Sequence, residues 1–219
     1  MIDFDELIDQ YLKRENYPKR IGRYYPSEIG NCLRKIWYTY KRPKQFEPEI
    51  IKVFQVGNMM HDFIVEVLKS EKTPKVELLE AEMPIKVEFP KFTVSGRVDD
   101  LMLVKESNEK ILVEVKSCQH IENIKKAKEH HKMQLMFYMY ATKIYKGIIL
   151  YIDKTNLKTK AFHIDFDEIE AMEILNRFWT LHKKLSKDEL PEPEAKKNED
   201  KKWMCSYCEY KELCDENKK

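Results

Sequence analysis

Seven residues, Lys110-Ile-Leu-Val-Glu-Val-Lys116, constrain this chain more than any other stretch. Between the two lysines every position but Glu114 is apolar, and so short an apolar run reads as a strand buried on both faces. Alternation along a strand sends Glu114 and Lys116 to one face and Val113 and Val115 to the other. A carboxylate and an ammonium inside such a strand are costly to bury without partners. The segment therefore demands a layered fold that covers the sheet, and a polar constellation that meets Glu114 and Lys116.

The rest of the chain supplies the cover. Helical spacing is read over 3–15, over 49–70, over 121–145 and over 166–185. Another helix is opened by Pro26-Ser27-Glu28, with Ser27 as its N-cap ahead of Ile29, Cys32, Leu33, Ile36 and Trp37. Residues 82–89 alternate and 92–104 are β-rich. Ser107-Asn108 turns that second stretch into Lys110–Lys116, and residues 147–153 and 159–164 form another hairpin around Lys154-Thr155-Asn156. Pro191 and Pro193 make 190–202 a linker without helix, and no internal repeat is present. This order predicts an α/β fold with a mixed central sheet flanked by helices. Three regions are expected: an N-terminal helical region over 1–75, a core over 76–188, and a linker with a C-terminal cysteine segment over 189–219.

Composition narrows the classes. The chain has 219 residues, of which 36% are charged and 42% hydrophobic, which excludes wholesale disorder. Its longest apolar runs fall far short of the roughly 20 residues that span a bilayer. Met1 leads into Ile-Asp-Phe-Asp-Glu with no basic and apolar leader, so neither a signal peptide nor a membrane anchor is expected, and the location is read as cytoplasmic. The net charge of +2 conceals a segment from Lys13 to Lys44 in which ten basic residues face two acidic ones. Tyr17, Tyr24, Tyr25, Trp37, Tyr38 and Tyr40 are interleaved with them. Cations among aromatic rings suit phosphate contact and base stacking; a solvated surface around core aromatics is the competing reading.

Five cysteines form an odd set in a chain without an export signal, which does not suit a disulfide framework. Cys205-x2-Cys208-x5-Cys214 brings three thiols within ten residues, and Cys32 is the candidate fourth ligand of a closed site. An iron–sulfur cluster and a zinc ion both take four thiolates. Three clustered cysteines with the fourth far away in sequence are unusual for a zinc ribbon, whose ligands come as two close pairs. Cys118, directly after the apolar strand, reads as a buried free thiol.

The chemistry concentrates on two neighbouring strands. Asp99 in Gly96-Arg97-Val98-Asp99 and Glu114 offer two hard oxygen ligands at one end of the sheet, which suits Mg²⁺ or Mn²⁺ bridging to a phosphate. Lys116 is placed to orient the attacking water and to offset charge on the scissile phosphate. His61, on the helix before the sheet, is placed to complete the cation shell. Gln134 and Tyr138 stand at i and i+4 on the following helix, share one face, and can hold Lys116 or the DNA backbone.

The ordered set His61, Gly96-x-x-Asp99, Glu114-x-Lys116 and Gln134-x-x-x-Tyr138 resembles the RecB-type branch of the PD-(D/E)XK nuclease superfamily. With Cys32 in Asn-Cys-Leu-Arg-Lys and the C-terminal cysteine triplet, the chain looks like the CRISPR-associated RecB-like exonucleases (the fourth Cas family) over about residues 24–216. Val98 stands where the superfamily's name places proline, a change that RecB-type members tolerate. The resemblance implies a restriction-endonuclease-like fold and a metal-dependent exonuclease acting on single-stranded DNA or DNA ends. It also implies that His61, Asp99, Glu114 and Val115 hold Mg²⁺ or Mn²⁺, with Lys116 catalytic and Gln134 and Tyr138 supporting. Cys32, Cys205, Cys208 and Cys214 would ligate a [4Fe-4S] cluster, [2Fe-2S] and zinc being the alternatives, and so tether the C-terminal tail. Implied partners are DNA and the CRISPR integrase proteins, with oligomers admitted. The competing readings are a virus- or plasmid-encoded RecB-like recombination or repair nuclease and, in another class, a catalytically silent DNA-binding module.

Overall fold

The computed structural model describes residues 2–13 and 17–217. Arg14 and Glu15, the end of the helix expected over 3–15, lie outside the described residues. The elements run α1 (Phe4–Leu12), β1 (Arg23–Tyr24), α2 (Pro26–Ile29), α3 (Leu33–Lys41), α4 (Pro48–Lys69), β2 (Val76–Glu88), β3 (Thr93–Val104) and β4 (Glu109–Cys118). They continue with α5 (Glu129–Thr142), β5 (Lys146–Asp153), β6 (Thr159–Asp165) and α6 (Glu168–Ser186). The short helices α7 (Glu194–Lys197), α8 (Trp203–Ser206) and α9 (Lys211–Glu216) complete the tail.

The sheet is mixed, with strand order β1-β3-β4-β5-β6 and β2 on the other edge of β3. β4 and β5 pair in parallel, from Leu112 opposite Gly147 to Cys118 opposite Asp153. A parallel pair cannot be closed by a tight turn, so the chain must cross over the sheet between them, and α5 is that crossover. Residues Gln134 to Met139 of α5 are all buried, because the helix is covered by the sheet on one side and by α2 and α6 on others. Leu112, Leu135, Met136, Phe137, Phe178 and Ile149 belong to the larger core on this side. On the opposite face Ile64 of α4 packs with Met102, Val113, Val115 and Ile152. The α/β layering is as expected, and Val113 and Val115 do face away from Glu114.

Three expectations change in detail. The helix opened at Pro26 is two helices, α2 and α3, broken at residues 30–32, and the N-cap of α2 is Tyr25, with the expected cap Ser27 inside the helix. The helix expected over 121–145 begins only at Glu129, after a 3-10 turn at Ile121–Asn123. There the Asp153 carboxylate accepts the Ile121 N–H (3.0 Å), and Lys160 Nζ donates to the Ile124 carbonyl (2.6 Å), so tertiary partners claim backbone groups a helix would need. The 190–202 linker contains α7, which starts at Glu194 directly after Pro193.

Candidate active site

The sheet forks at β3. β2 occupies one edge of β3 from Val104 to Thr93. The opposite edge is shared: β1 pairs at Thr93 and Val94, and β4 pairs from Asp100 to Val104. Residues 95–99 are left without a strand partner on that edge. At this point Asp99 Oδ2 accepts the Val115 N–H (2.8 Å), so a side chain replaces the next backbone rung and pins the two strands where they diverge. Gly96 lies tightly inside the fork: a Cβ there would stand 3.1 Å from Pro26 Cδ and 3.2 Å from the Tyr138 hydroxyl.

The expected residues from β4 and α5 form one network. Glu114 is fully buried, and its Oε1 accepts from Lys116 Nζ (2.5 Å) and Gln134 Nε2 (2.7 Å). Lys116 also donates to Gln134 Oε1 (3.3 Å), and Gln134 Nε2 donates to the Tyr138 hydroxyl (3.2 Å). The i, i+4 spacing on α5 thus becomes a chain from the fork to the carboxylate. From the other face of the sheet, α4 carries His61 to the same place.

His61, Glu82 and Asp99 each bring one ligand atom into a group whose members all lie within 4.8 Å of one another, the only such trio among the described residues. Glu82 was not among the expected site residues; on sequence it merely opens an alternating strand. Its backbone is left-handed (φ 54°) inside an otherwise extended strand, opposite Asp99, and its carboxylate stands 3.8 Å from His61 Nδ1 and 2.8 Å from Arg97 Nη1. Asp100, the neighbour of Asp99, is fully buried with Oδ2 3.5 Å from His61 Nε2, an ion-pair distance without hydrogen-bond geometry.

Burial and like charge dominate the electrostatics. Burial, reinforced by Asp99, pushes the Glu114 carboxyl up to about 8. Burial also raises Asp99, partly countered by Lys116 and the Val115 N–H. Asp100 beside it holds His61 up, to about 9, against the cost of burial. Burial pulls the Lys116 ammonium down, but Glu114 and Asp99 outweigh it and hold it above its ordinary value.

The model of the PD-(D/E)XK nuclease superfamily matches residues 4–215. The chain belongs to this superfamily. Over 204 residues it is 22% identical to the CRISPR-associated exonuclease Cas4 of Saccharolobus solfataricus, covering 91% of this chain and 90% of that protein. The crystal structure of SSO0001 matches with a TM-score of 0.61 at 19% identity, over 95% of this chain and 92% of the other. LHK-Exo in complex with dAMP matches with a TM-score of 0.56 at 15% identity, over 77% and 90%. A phage-related exonuclease from Haemophilus somnus 129PT matches with a TM-score of 0.55 at 12% identity, over 84% and 97%. The structural likenesses are of fold. Among the described residues of this nuclease, no helix is long and apolar enough to cross a membrane.

The nuclease has a second constellation away from the fork. Cys32, Cys205, Cys208 and Cys214 line one pocket together with Arg34, Lys35, Tyr38 and Lys196. Arg34 is 2% exposed, with Nη1 4.0 Å from Cys214 Sγ, and Lys196 Nζ donates to the Cys214 carbonyl (3.1 Å). Burial, then Cys32 and Cys214, push the Cys205 thiol up. Cys118 lies outside the pocket and is half-buried rather than buried.

Proposed function

We propose that this nuclease is a divalent-metal-dependent deoxyribonuclease that acts as an exonuclease on single-stranded DNA or DNA ends. The observation that carries the reading is the convergence, at one unpaired stretch of β3, of Asp99, His61 and the Glu114–Lys116–Gln134–Tyr138 network.

The side chains fit a cation. Among the described residues, Glu114 Oε2, His61 Nε2 and both Asp100 oxygens are buried without a hydrogen-bond partner. Burial holds Glu114 and Asp99 toward their protonated forms; a positive ion relieves each of these deficits. His61, Asp99 and Glu114, with Val115, would hold Mg²⁺ or Mn²⁺, and Glu82 stands beside them. When bound, such an ion supplies Lewis-acid stabilisation of charge on the scissile phosphate. Of the three Lys116 donors, Glu114 and Gln134 take two, so the third is left for the attacking water or a phosphate oxygen. Gln134 fixes the geometry of both Glu114 and Lys116, and Tyr138 steadies Gln134 from the fork side.

Cys32, Cys205, Cys208 and Cys214, which line one pocket, are read as the ligands of a [4Fe-4S] cluster that would tie α3 to the tail. Arg34, Lys35 and Lys196 offset thiolate charge. The similarity to an exonuclease named as CRISPR-associated supports a role in CRISPR adaptation, trimming captured DNA in the cell before its integration beside the integrase proteins.

The test is Lys116→Ala. Folding and DNA binding are expected to persist while cleavage with Mn²⁺ falls by a factor of about 10² or more; undiminished cleavage contradicts the assignment. Protein purified without oxygen is expected to hold iron and acid-labile sulfide in equal amounts, both lost in Cys205→Ala. A wild type that holds zinc alone contradicts the cluster.

A further inference from the structure

The basic and aromatic segment around Tyr17 to Tyr25 takes no part in the chemistry above, yet it borders the fork. It lines a solvent-open groove of about 1540 Å³ that also includes Lys86, Lys91 and Ser95. Five cationic side chains line this groove and no acidic one does. Lys19 pairs with Glu28 and Lys86 with Glu88, while Arg20 and Lys91 form no ion pair among the described residues. Lys19 and Arg23 lie over the Tyr25 ring at 6.0 and 5.8 Å, which holds both cations along the wall.

The groove reaches the nuclease site through β3. Arg23 Nε donates to Ser95 Oγ (3.3 Å), and Ser95 opens the unpaired stretch that ends at Asp99, about 13 Å further along the strand. Between them the exposed Arg97 is held by Glu82, itself in the trio with Asp99 and His61. In the other direction the groove shares Tyr17 and Lys19 with a second one of about 1200 Å³ between α3, α4 and the cysteine tail. Phe54 and Tyr207 there are 47% and 82% exposed, and Tyr17 is 73% exposed. Lys44 stands 5.4 Å over the Tyr210 ring, and Glu209, one of two acidic residues in this groove, is answered by Lys35 (3.0 Å).

We propose that the two adjoining grooves form one track for single-stranded DNA, leading from the cysteine tail past β1 to the Asp99 fork. The proposal rests on the nuclease reading above and assigns the place of the stretch of strand that lies beyond the bond being cut. Arg20, Arg23 and Lys91 match a row of phosphates, and the exposed rings of Tyr17, Phe54 and Tyr207 match unpaired base faces. In a duplex the bases are already stacked on one another and offer those rings no open face, so the track favours a single strand.

The experiment measures binding of labelled oligothymidine in EDTA, by fluorescence anisotropy across a salt series, separately from Mn²⁺-dependent cleavage. Arg20→Ala with Lys91→Ala is expected to weaken binding at least tenfold and to lower the slope of log affinity against log salt by about 1.4, the share of two phosphate contacts. Phe54→Ala with Tyr207→Ala is expected to weaken binding about tenfold with the slope unchanged. Lys91→Arg is expected to restore the wild-type slope in an otherwise native groove. Wild-type binding by both double variants, with wild-type cleavage intact, overturns the track and leaves the nuclease standing. Tighter binding of a duplex than of the single strand, lost in the same variants, overturns the choice of strand. A wild type that binds but never cuts overturns the nuclease reading on which the proposal rests.

Discussion

Glu82 shows how a single residue sets the site. A left-handed backbone at a residue other than glycine costs on the order of 1–3 kcal/mol and persists where its surroundings over-determine it. Here that conformation swings the carboxylate toward His61, Asp99 and Arg97 instead of along the ordinary pleat. Glu82→Gly is therefore expected to raise stability by about 1 kcal/mol, read by denaturant unfolding, because glycine adopts this conformation without strain. The same variant is expected to bind Mn²⁺ more weakly by calorimetric titration; unchanged affinity would remove Glu82 from the cation's surroundings. That Glu114, Lys116, Gln134 and Tyr138 meet was legible in the order of the motifs together, since Glu-x-Lys alone is common. Glu82 was not, since nothing in Leu79-Glu80-Ala81-Glu82 favours a left-handed residue, and only the sheet register opposite Asp99 reveals it.

Helices and strands show where local signals yield to distant partners. The order of elements and both hairpins could be read from periodicity. The break between α2 and α3 could not, because apolar residues continue at helical spacing through Ile29, Leu33 and Ile36. At the break, which falls at Gly30-Asn31, Arg177 of α6 donates to the Ile29 carbonyl (3.2 Å) and the Asn31 carbonyl (2.9 Å) and so satisfies carbonyls left without helical partners. The true cap of α3 is Glu194, whose Oε1 accepts the Leu33 N–H (2.7 Å) while Arg177 clamps the same carboxylate. That linker glutamate lies too far away in sequence for a capping motif to reveal. The break also lets α2 cross α5 closely: a Cβ on Gly30 would stand 2.5 Å from His130 Cα. Gly30→Ala is accordingly expected to cost about 1–3 kcal/mol by forcing two backbones apart, measured by urea unfolding. A neutral result would mean that the α2–α5 contact gives way freely.

For the whole molecule, α2, α5 and the tail meet at two half-buried histidines. His130 stacks near Trp203 (5.5 Å), and His131 Nδ1 is hydrogen-bonded with the Tyr151 hydroxyl (2.9 Å). Burial, helped by neighbouring cations, holds His130 down to about 4 and His131 down to about 2. Both are neutral in the fold, whereas the unfolded chain takes up protons below about 6.5. Their contribution is intact above that pH and is lost as pH falls, by at most about 1.4 kcal/mol per pH unit for each proton. His131→Gln is expected to flatten the decline in stability between pH 6.5 and 4 relative to wild type, as followed by thermal unfolding; an identical slope would mean that His131 protonates inside the fold. The proposed cleavage takes place at the fork, where Asp99 pins β3 to β4. The most direct measurement is an oxygen-free cleavage assay on end-labelled single-stranded and double-stranded DNA with Mn²⁺, comparing wild type with Glu114→Ala. The wild type is expected to shorten the DNA from an end while Glu114→Ala leaves it intact; equal cleavage by the two proteins would contradict the nuclease reading.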